Sequence, residues 1–177
     1  MNHIGGMIMS NNPSSEEQEN PIVIKVRDIL MESGNCAQTS FAVLQEEFDL
    51  EGDQILRALT PFPGIALRGE TCGAVIGCLM ALGLEFGRDD LTDWRGYIGS
   101  LPSARRFCMR FEEENGSTDC ASILEDKLGR NYDLADRAEA LEYASSGGPQ
   151  ACSEVVASAV QIASEAIRKK RQRRIHR

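Results

Sequence analysis

Six cysteines, at positions 36, 72, 78, 108, 120 and 152, are the side chains in this 177-residue sequence best suited to chemistry. A thiolate ligates soft metal ions and attacks disulfides, whereas the neutral thiol does neither well. Histidine adds no donor to the interior, because His3 and His176 both stand at the ends of the chain. An internal metal site must therefore rest on sulfur or carboxylate. Four thiolates satisfy either an iron–sulfur cluster or a structural zinc ion. No Cys-x-x-Cys pair occurs, so the zinc-ribbon spacing and the thioredoxin-type motif are both missing. Without Cys-x-x-Cys-His, no covalent haem is expected.

The residues around each cysteine divide the six. Cys36, Cys72, Cys120 and Cys152 each closely follow a turn or capping signal, which places them in the first turn of a helix. Unpaired N–H groups and the positive end of the helix dipole favour thiolate there, so these four are the expected redox-active or metal-binding residues. Cys78 and Cys108 fall inside helices and read as small packing hydrophobes. From Cys72 to Cys78, six helical positions turn the side chain by about 240° and raise it by about 9 Å. A disulfide needs Cα atoms within roughly 7 Å, so these two cannot bridge in an intact helix. On spacing alone, four cysteines that merely pack remain an equal alternative.

The elements that must position these cysteines are helical. Apolar residues at helical spacing predict helices over Ile22–Ser33, ended by Gly34, and over Cys36–Phe48, capped by Asn35. A short helix is expected over Asp53–Leu59, then a constrained loop from Pro61 to Gly69. Cys72–Leu84 is almost wholly apolar or glycine, which predicts a buried central helix. Beyond it come a turn near Asp93–Ile98 before Pro102, and helices over Ser103–Glu114, Cys120–Leu128, Leu134–Tyr143 and Ala151 to about Arg171. Strand-like alternation is nearly absent. The expected fold is all-α, a compact multi-helix bundle in one domain of residues 21–168, between a disordered leader (1–20) and a basic tail (169–177).

Charge narrows the partners. The formal net charge is −8, from 19 Lys and Arg against 27 Asp and Glu, and seven of the basic residues lie in the last ten positions. The acidic body repels phosphate backbones, so nucleic-acid binding is not expected. The basic C-terminal run is read first as completing the last helix at the negative end of its dipole. No apolar stretch is long enough to span a bilayer and Met1–Asn12 lacks a signal-peptide pattern, so a cytoplasmic protein is expected. In a reducing compartment the cysteines would be metal ligands, redox groups or packing residues.

Four segments resemble the C_GCAxxG_C_C family of redox-active proteins: Asn35-Cys36-Ala37-Gln38, Gly69-Glu70-Thr71-Cys72-Gly73-Ala74-Val75-Ile76-Gly77, Gly116-Ser117-Thr118-Asp119-Cys120, and Cys152 in the last helix. The central string Cys-Gly-Ala-x-x-Gly after Gly-Glu-Thr is the most specific. The family's named cysteines fall on Cys36, Cys72, Cys120 and Cys152, the same four that the capping pattern selects. The resemblance implies a helical redox domain with a metal or iron–sulfur centre, since a similar domain in split-Soret cytochromes carries such a cluster.

Gly73, Gly77 and Gly83 on the apolar helix each cost about 1 kcal/mol relative to alanine. Such positions mark close backbone approach, so Gly73 is a candidate cofactor-binding residue, while helix packing explains Gly77 equally well. The leading expectation is a 2Fe-2S cluster on four thiolates for electron transfer or redox sensing. Metal-free thiol–disulfide exchange and a structural zinc site are the alternatives. A redox partner protein is required by the first, and a homodimer is compatible with all three.

Overall fold

The computed structural model describes residues 19–175. The expected leader lies outside the described residues up to position 18, as do His176 and Arg177. Among the described residues, nine helical elements follow one another: α1 (Pro21–Ser33), α2 (Cys36–Phe48), α3 (Asp53–Ala58), α4 (Gly64–Leu67), α5 (Gly73–Phe86), α6 (Trp94–Asn115), α7 (Cys120–Leu128), α8 (Arg137–Ser145) and α9 (Gly148–Ile175). The all-α bundle expected from the sequence is what forms, with no β-strand among the described residues.

Capping chemistry sets most boundaries. The Asn20 side chain accepts from the Ile22 N–H at the start of α1, and Gly34 ends that helix in the left-handed conformation at φ 62°. Asp93, Asp119 and Asp136 likewise cap α6, α7 and α8. Asp136 accepts from both Ala138 and Glu139, so α8 starts three residues after the expected Leu134.

Two other boundaries differ. The turn and the helix expected on either side of Pro102 are one 22-residue helix, α6. Pro102 costs one backbone bond there, but it lies on an exposed stretch where water can satisfy the freed carbonyl. α9 begins at Gly148 rather than Ala151, because Pro149 has no N–H to lose in a first helical turn.

The core is where α2, α5 and α9 meet, closed by α1 and the C-terminal half of α6. Phe41, Leu44, Val75, Leu82, Phe107, Phe111, Val156, Val160 and Ile167 are almost completely buried in it. α5 is buried along most of its length, while Met80 and Leu84 reach solvent. The α2–α5 crossing is close because Gly77 has no side chain. A Cβ on it would lie 2.1 Å from Ser40 Oγ and 2.2 Å from the Ala37 carbonyl oxygen. Gly83 meets nothing within 4 Å, so the close approach expected there is not found.

The basic C-terminal run continues α9 and packs against the body. Arg171 holds Glu85 through Nε and Nη2 at 3.1 and 2.9 Å, and the Glu85 side chain is only 7 % exposed. Lys170 donates to the Glu85 carbonyl and lies over the Phe86 ring. Arg168 pairs with Glu47 of α2.

α4 is a single turn wound left-handed, with φ between 50° and 62° at Gly64, Ile65, Ala66 and Leu67. An L-residue in this region costs about 1–2 kcal/mol. The turn is over-determined by its bonds: Ala66 N–H donates to Pro61 O (2.7 Å), Leu67 N–H to Pro63 O (2.8 Å) and Glu70 N–H to Gly64 O (3.1 Å). It delivers the chain to Gly69 beside the cysteines.

Candidate functional site

Three helix starts are locked to their surroundings by backbone and cap bonds. At α2, the buried Asn35 accepts from Gln38 N–H (3.0 Å) and donates from Nδ2 to the Thr60 carbonyl (3.0 Å), which anchors the loop before α4 to the turn holding Cys36. The segments entering α5 and α7 pair antiparallel through a single bridge, Thr71 with Asp119. Cys72 N–H donates to Thr118 O (2.8 Å), Cys120 N–H to Glu70 O (2.7 Å) and Ala121 N–H to Gly69 O (2.9 Å). Cys72 is thereby the N-cap of α5 and Cys120 the first residue of α7, side by side. Glycine is required at position 69, where φ is +77° and a Cβ would stand 3.1 Å from Ala121 Cβ.

Cys152 is the exception to the expected placement. Because α9 starts at Gly148, Cys152 lies in the second turn and not at the helix end. It still reaches the others. Each of the six pairs among Cys36, Cys72, Cys120 and Cys152 lies within range of direct thiolate–thiolate repulsion. Cys36, Cys120 and Cys152 line a mostly apolar pocket of about 130 Å³, walled by Leu30, Leu67, Leu124, Tyr132 and Leu134 among others. Cys72 is buried behind them at 6 % exposure. Cys78 and Cys108 do not line this pocket, in line with their reading as packing residues: Cys78 is fully buried and bonds to Ser40, and Cys108 is half-buried on α6.

Gly73 admits a sulfur. A Cβ there would lie 2.5 Å from Cys36 Sγ and 3.0 Å from the Ala37 nitrogen, so its lack of a side chain lets Cys36 nestle against the first turn of α5. Gly64 does the same more loosely for Cys120, whose Sγ would be 3.4 Å from a Cβ.

The electrostatics reverse the expectation that helix starts prime these cysteines as free thiolates. Burial is the largest influence on all four and pushes every thiol up. Cys36 rises well above the ordinary value through burial and then repulsion from Cys72, Cys152 and Cys120. Cys72 rises to about 11, although the N–H groups of Ala74 and Val75 face its sulfur, without closing a full capping bond, and partly offset the burial. Cys120 rises to about 12 through burial, Cys72, Cys152 and Asp119. Desolvation and crowding outweigh the backbone N–H groups that face Cys36 and Cys72.

A pH dependence follows from these shifts. A thiol raised above its unfolded value binds its proton more tightly in the folded state, so the stabilisation is complete below about pH 9 and is lost as pH climbs through the folded values. Metal-free, reduced protein is expected to keep a flat thermal midpoint from pH 7 to about 9 and then lose stability toward 11 and 12. Thermal denaturation across that range measures it, and a midpoint that rises with pH would contradict the burial.

Tyr143 of α8 is the site residue the cysteine pattern could not show. Its hydroxyl is placed to donate to the Cys152 sulfur, partly offsetting the burial that raises that thiol, while burial and the neighbouring thiolates push the phenol far up. The available signal was Gly148: a Cβ there would sit 2.1 Å from the Tyr143 ring, so the Gly-Gly break also makes room for an aromatic face.

Helices alone, with four cysteines from α2, α5, α7 and α9 drawn to one place, define an all-helical cysteine-centred protein. The chain belongs to the family described as "Putative redox-active protein (C_GCAxxG_C_C)", whose model matches residues 34–166 and so takes in all four cysteines. Searches of curated proteins and of solved structures returned no match. Among the described residues, no helix is long and apolar enough to cross a membrane.

Proposed function

We propose that this protein holds an iron–sulfur cluster, 2Fe-2S, on Cys36, Cys72, Cys120 and Cys152, and serves in electron transfer or redox sensing. The observation that carries the reading is the approach of four cysteines from four different helices: Cys36, Cys120 and Cys152 line one apolar pocket without histidine or carboxylate lining, and Cys72 lies buried behind them within range of all three. An all-sulfur donor set suits a thiolate-ligated cluster. A tetrahedral zinc site asks four sulfurs to converge on one ion. A cluster divides its four sulfurs between two irons, so they need not meet at a single point.

Bound there, such a cluster would accept and release one electron at a time. The chain's own part is to shape the environment. The N–H groups of Ala74 and Val75 face the Cys72 sulfur, and Tyr143 donates to Cys152, both of which stabilise negative charge on sulfur. Leu30, Leu67, Leu124 and Leu134 keep water from the sulfurs. Four thiols that resist ionisation while empty are expected to release protons when a cation binds, so loading should be favoured as pH rises.

Anaerobic purification tests the reading. Visible absorption with about two iron and two sulfide per chain is the expected result. Colourless protein carrying zinc would replace it with the structural site, and metal-free protein with a reversible disulfide among the four would replace it with thiol–disulfide exchange.

Tyr143→Phe gives a finer test. Losing the donated hydrogen bond should leave iron content unchanged and move the reduction potential to a more negative value, because hydrogen bonds to ligand sulfur stabilise the reduced state. Redox titration followed by absorption or electron paramagnetic resonance reads the shift, and an unchanged potential would remove Tyr143 from any tuning role.

A further inference from the structure

The first half of α6 carries an exposed apolar stripe that the monomer leaves uncovered. Only Phe107, Phe111 and Asn115, in the second half, are buried, and they anchor the helix to α5 and α9. Ahead of them, Trp94 is 66 % exposed, Ile98 46 %, Leu101 42 % and Tyr97 37 %, with Leu91 at 82 % just before the helix. Trp94, Tyr97, Ile98 and Leu101 stand at i, i+3, i+4 and i+7, which puts them on one helix face. A contiguous patch of this kind is among the largest a soluble monomer exposes and often marks an interaction surface.

The charges flanking the stripe say which partner. Its leading end carries three carboxylates, Asp89, Asp90 and Asp93, against Arg88, whose guanidinium is already engaged with the Tyr97 ring and the Asp93 carbonyl, and its trailing end carries Arg105 and Arg106. Arg105 lies on the stripe face itself, eleven positions or three turns beyond Trp94, and makes no ion pair or hydrogen bond with any described residue. A parallel copy would set acid against acid. An antiparallel copy sets each acidic end against a basic end, and brings Ile98 opposite Leu101 and Trp94 opposite Arg105 in both directions. That self-complementarity is what a two-fold axis requires.

We infer that the chain forms a homodimer through antiparallel contact of the Trp94–Arg106 stretch of α6 with the same stretch of a second copy, the axis passing between Ile98 and Leu101. Leucine and isoleucine form the centre of the contact. At each end a Trp94 ring receives the partner's Arg105 guanidinium, a favourable cation–aromatic pairing. The exposed side chains offer on the order of 500 Å² per copy, short of the roughly 800 Å² of a standard interface, so dissociation near the micromolar range is expected.

Trp94 is the sole tryptophan, so its emission reports this contact directly. The full chain is diluted from about 100 μM to below 1 μM, a span chosen around that affinity, while light scattering gives mass and fluorescence gives the environment of Trp94. The expected result is a monomer–dimer transition accompanied by a blue shift of Trp94 emission in the dimer. Ile98→Asp, at an exposed position, should keep its helical circular dichroism and remain monomeric at every concentration. Arg105→Glu should weaken the dimer at least tenfold. A monomer throughout, or a dimer whose formation leaves Trp94 emission and the Ile98→Asp variant unaffected, would overturn the inference.

Discussion

Cys72→Ala is expected to retain less than about a tenth of the cluster iron bound by the unaltered protein, because loss of a thiolate ligand removes binding free energy that the apolar pocket cannot replace. Cys36→Ala, Cys120→Ala and Cys152→Ala should behave alike, and Cys108→Ala should keep its full iron content. Cys72 is the most exacting of the four. It is buried, it caps α5, and its backbone N–H is tied to Thr118, so no other donor can move into its place. Iron and sulfide analysis of anaerobically purified variants, with circular dichroism to confirm folding, decides the matter. Full iron in all four folded variants would place the cluster elsewhere or nowhere. The contrast with Cys108 separates loss of a ligand from a general effect of removing a thiol.

Gly77→Ala should produce a large loss of stability for a single added methyl group. Its Cβ would fall 2.2 Å from the Ala37 carbonyl oxygen, and backbone cannot swing aside as a side chain can. The two helices must separate. Overpacking of this kind costs about 3 kcal/mol, equivalent to a fall of roughly 10 °C in thermal midpoint for a chain this long. The same movement would pull Cys36 at the head of α2 away from Cys72 at the head of α5. Gly83→Ala, on the same helix with open space around it, should instead stabilise by up to about 1 kcal/mol through helix propensity. Thermal melts of the pair measure both, and equal midpoints would refute the close crossing.

The fold was largely legible because helices announce themselves locally. Asn35 before Cys36 and Asp119 before Cys120 are caps whose chemistry needs only the next three residues, and both helices begin where those residues say. The readings failed where an outcome depended on context. Pro102 stops a helix only if its lost bond cannot be satisfied, and exposure of that stretch of α6 is a tertiary fact. Gly148 and Pro149 look like a break, yet they form the first turn of α9 beside the Tyr143 ring.

The candidate site divides in the same way. Cap residues place Cys36, Cys72 and Cys120 at helix starts, because sequence neighbours determine where a helix begins, whereas the break ahead of Cys152 proved to be the first turn of α9. Whether the four meet depends on residues dozens of positions apart. The Thr71–Asp119 bridge, the room left by Gly73 and Gly77, and the reach of Cys152 from the second turn of α9 bring them together. Their ionisation was decided by tertiary structure as well. A helix dipole acts over one turn and can be read from sequence, whereas desolvation and repulsion between thiols arise only when distant segments pack, and here burial is the largest influence on all four.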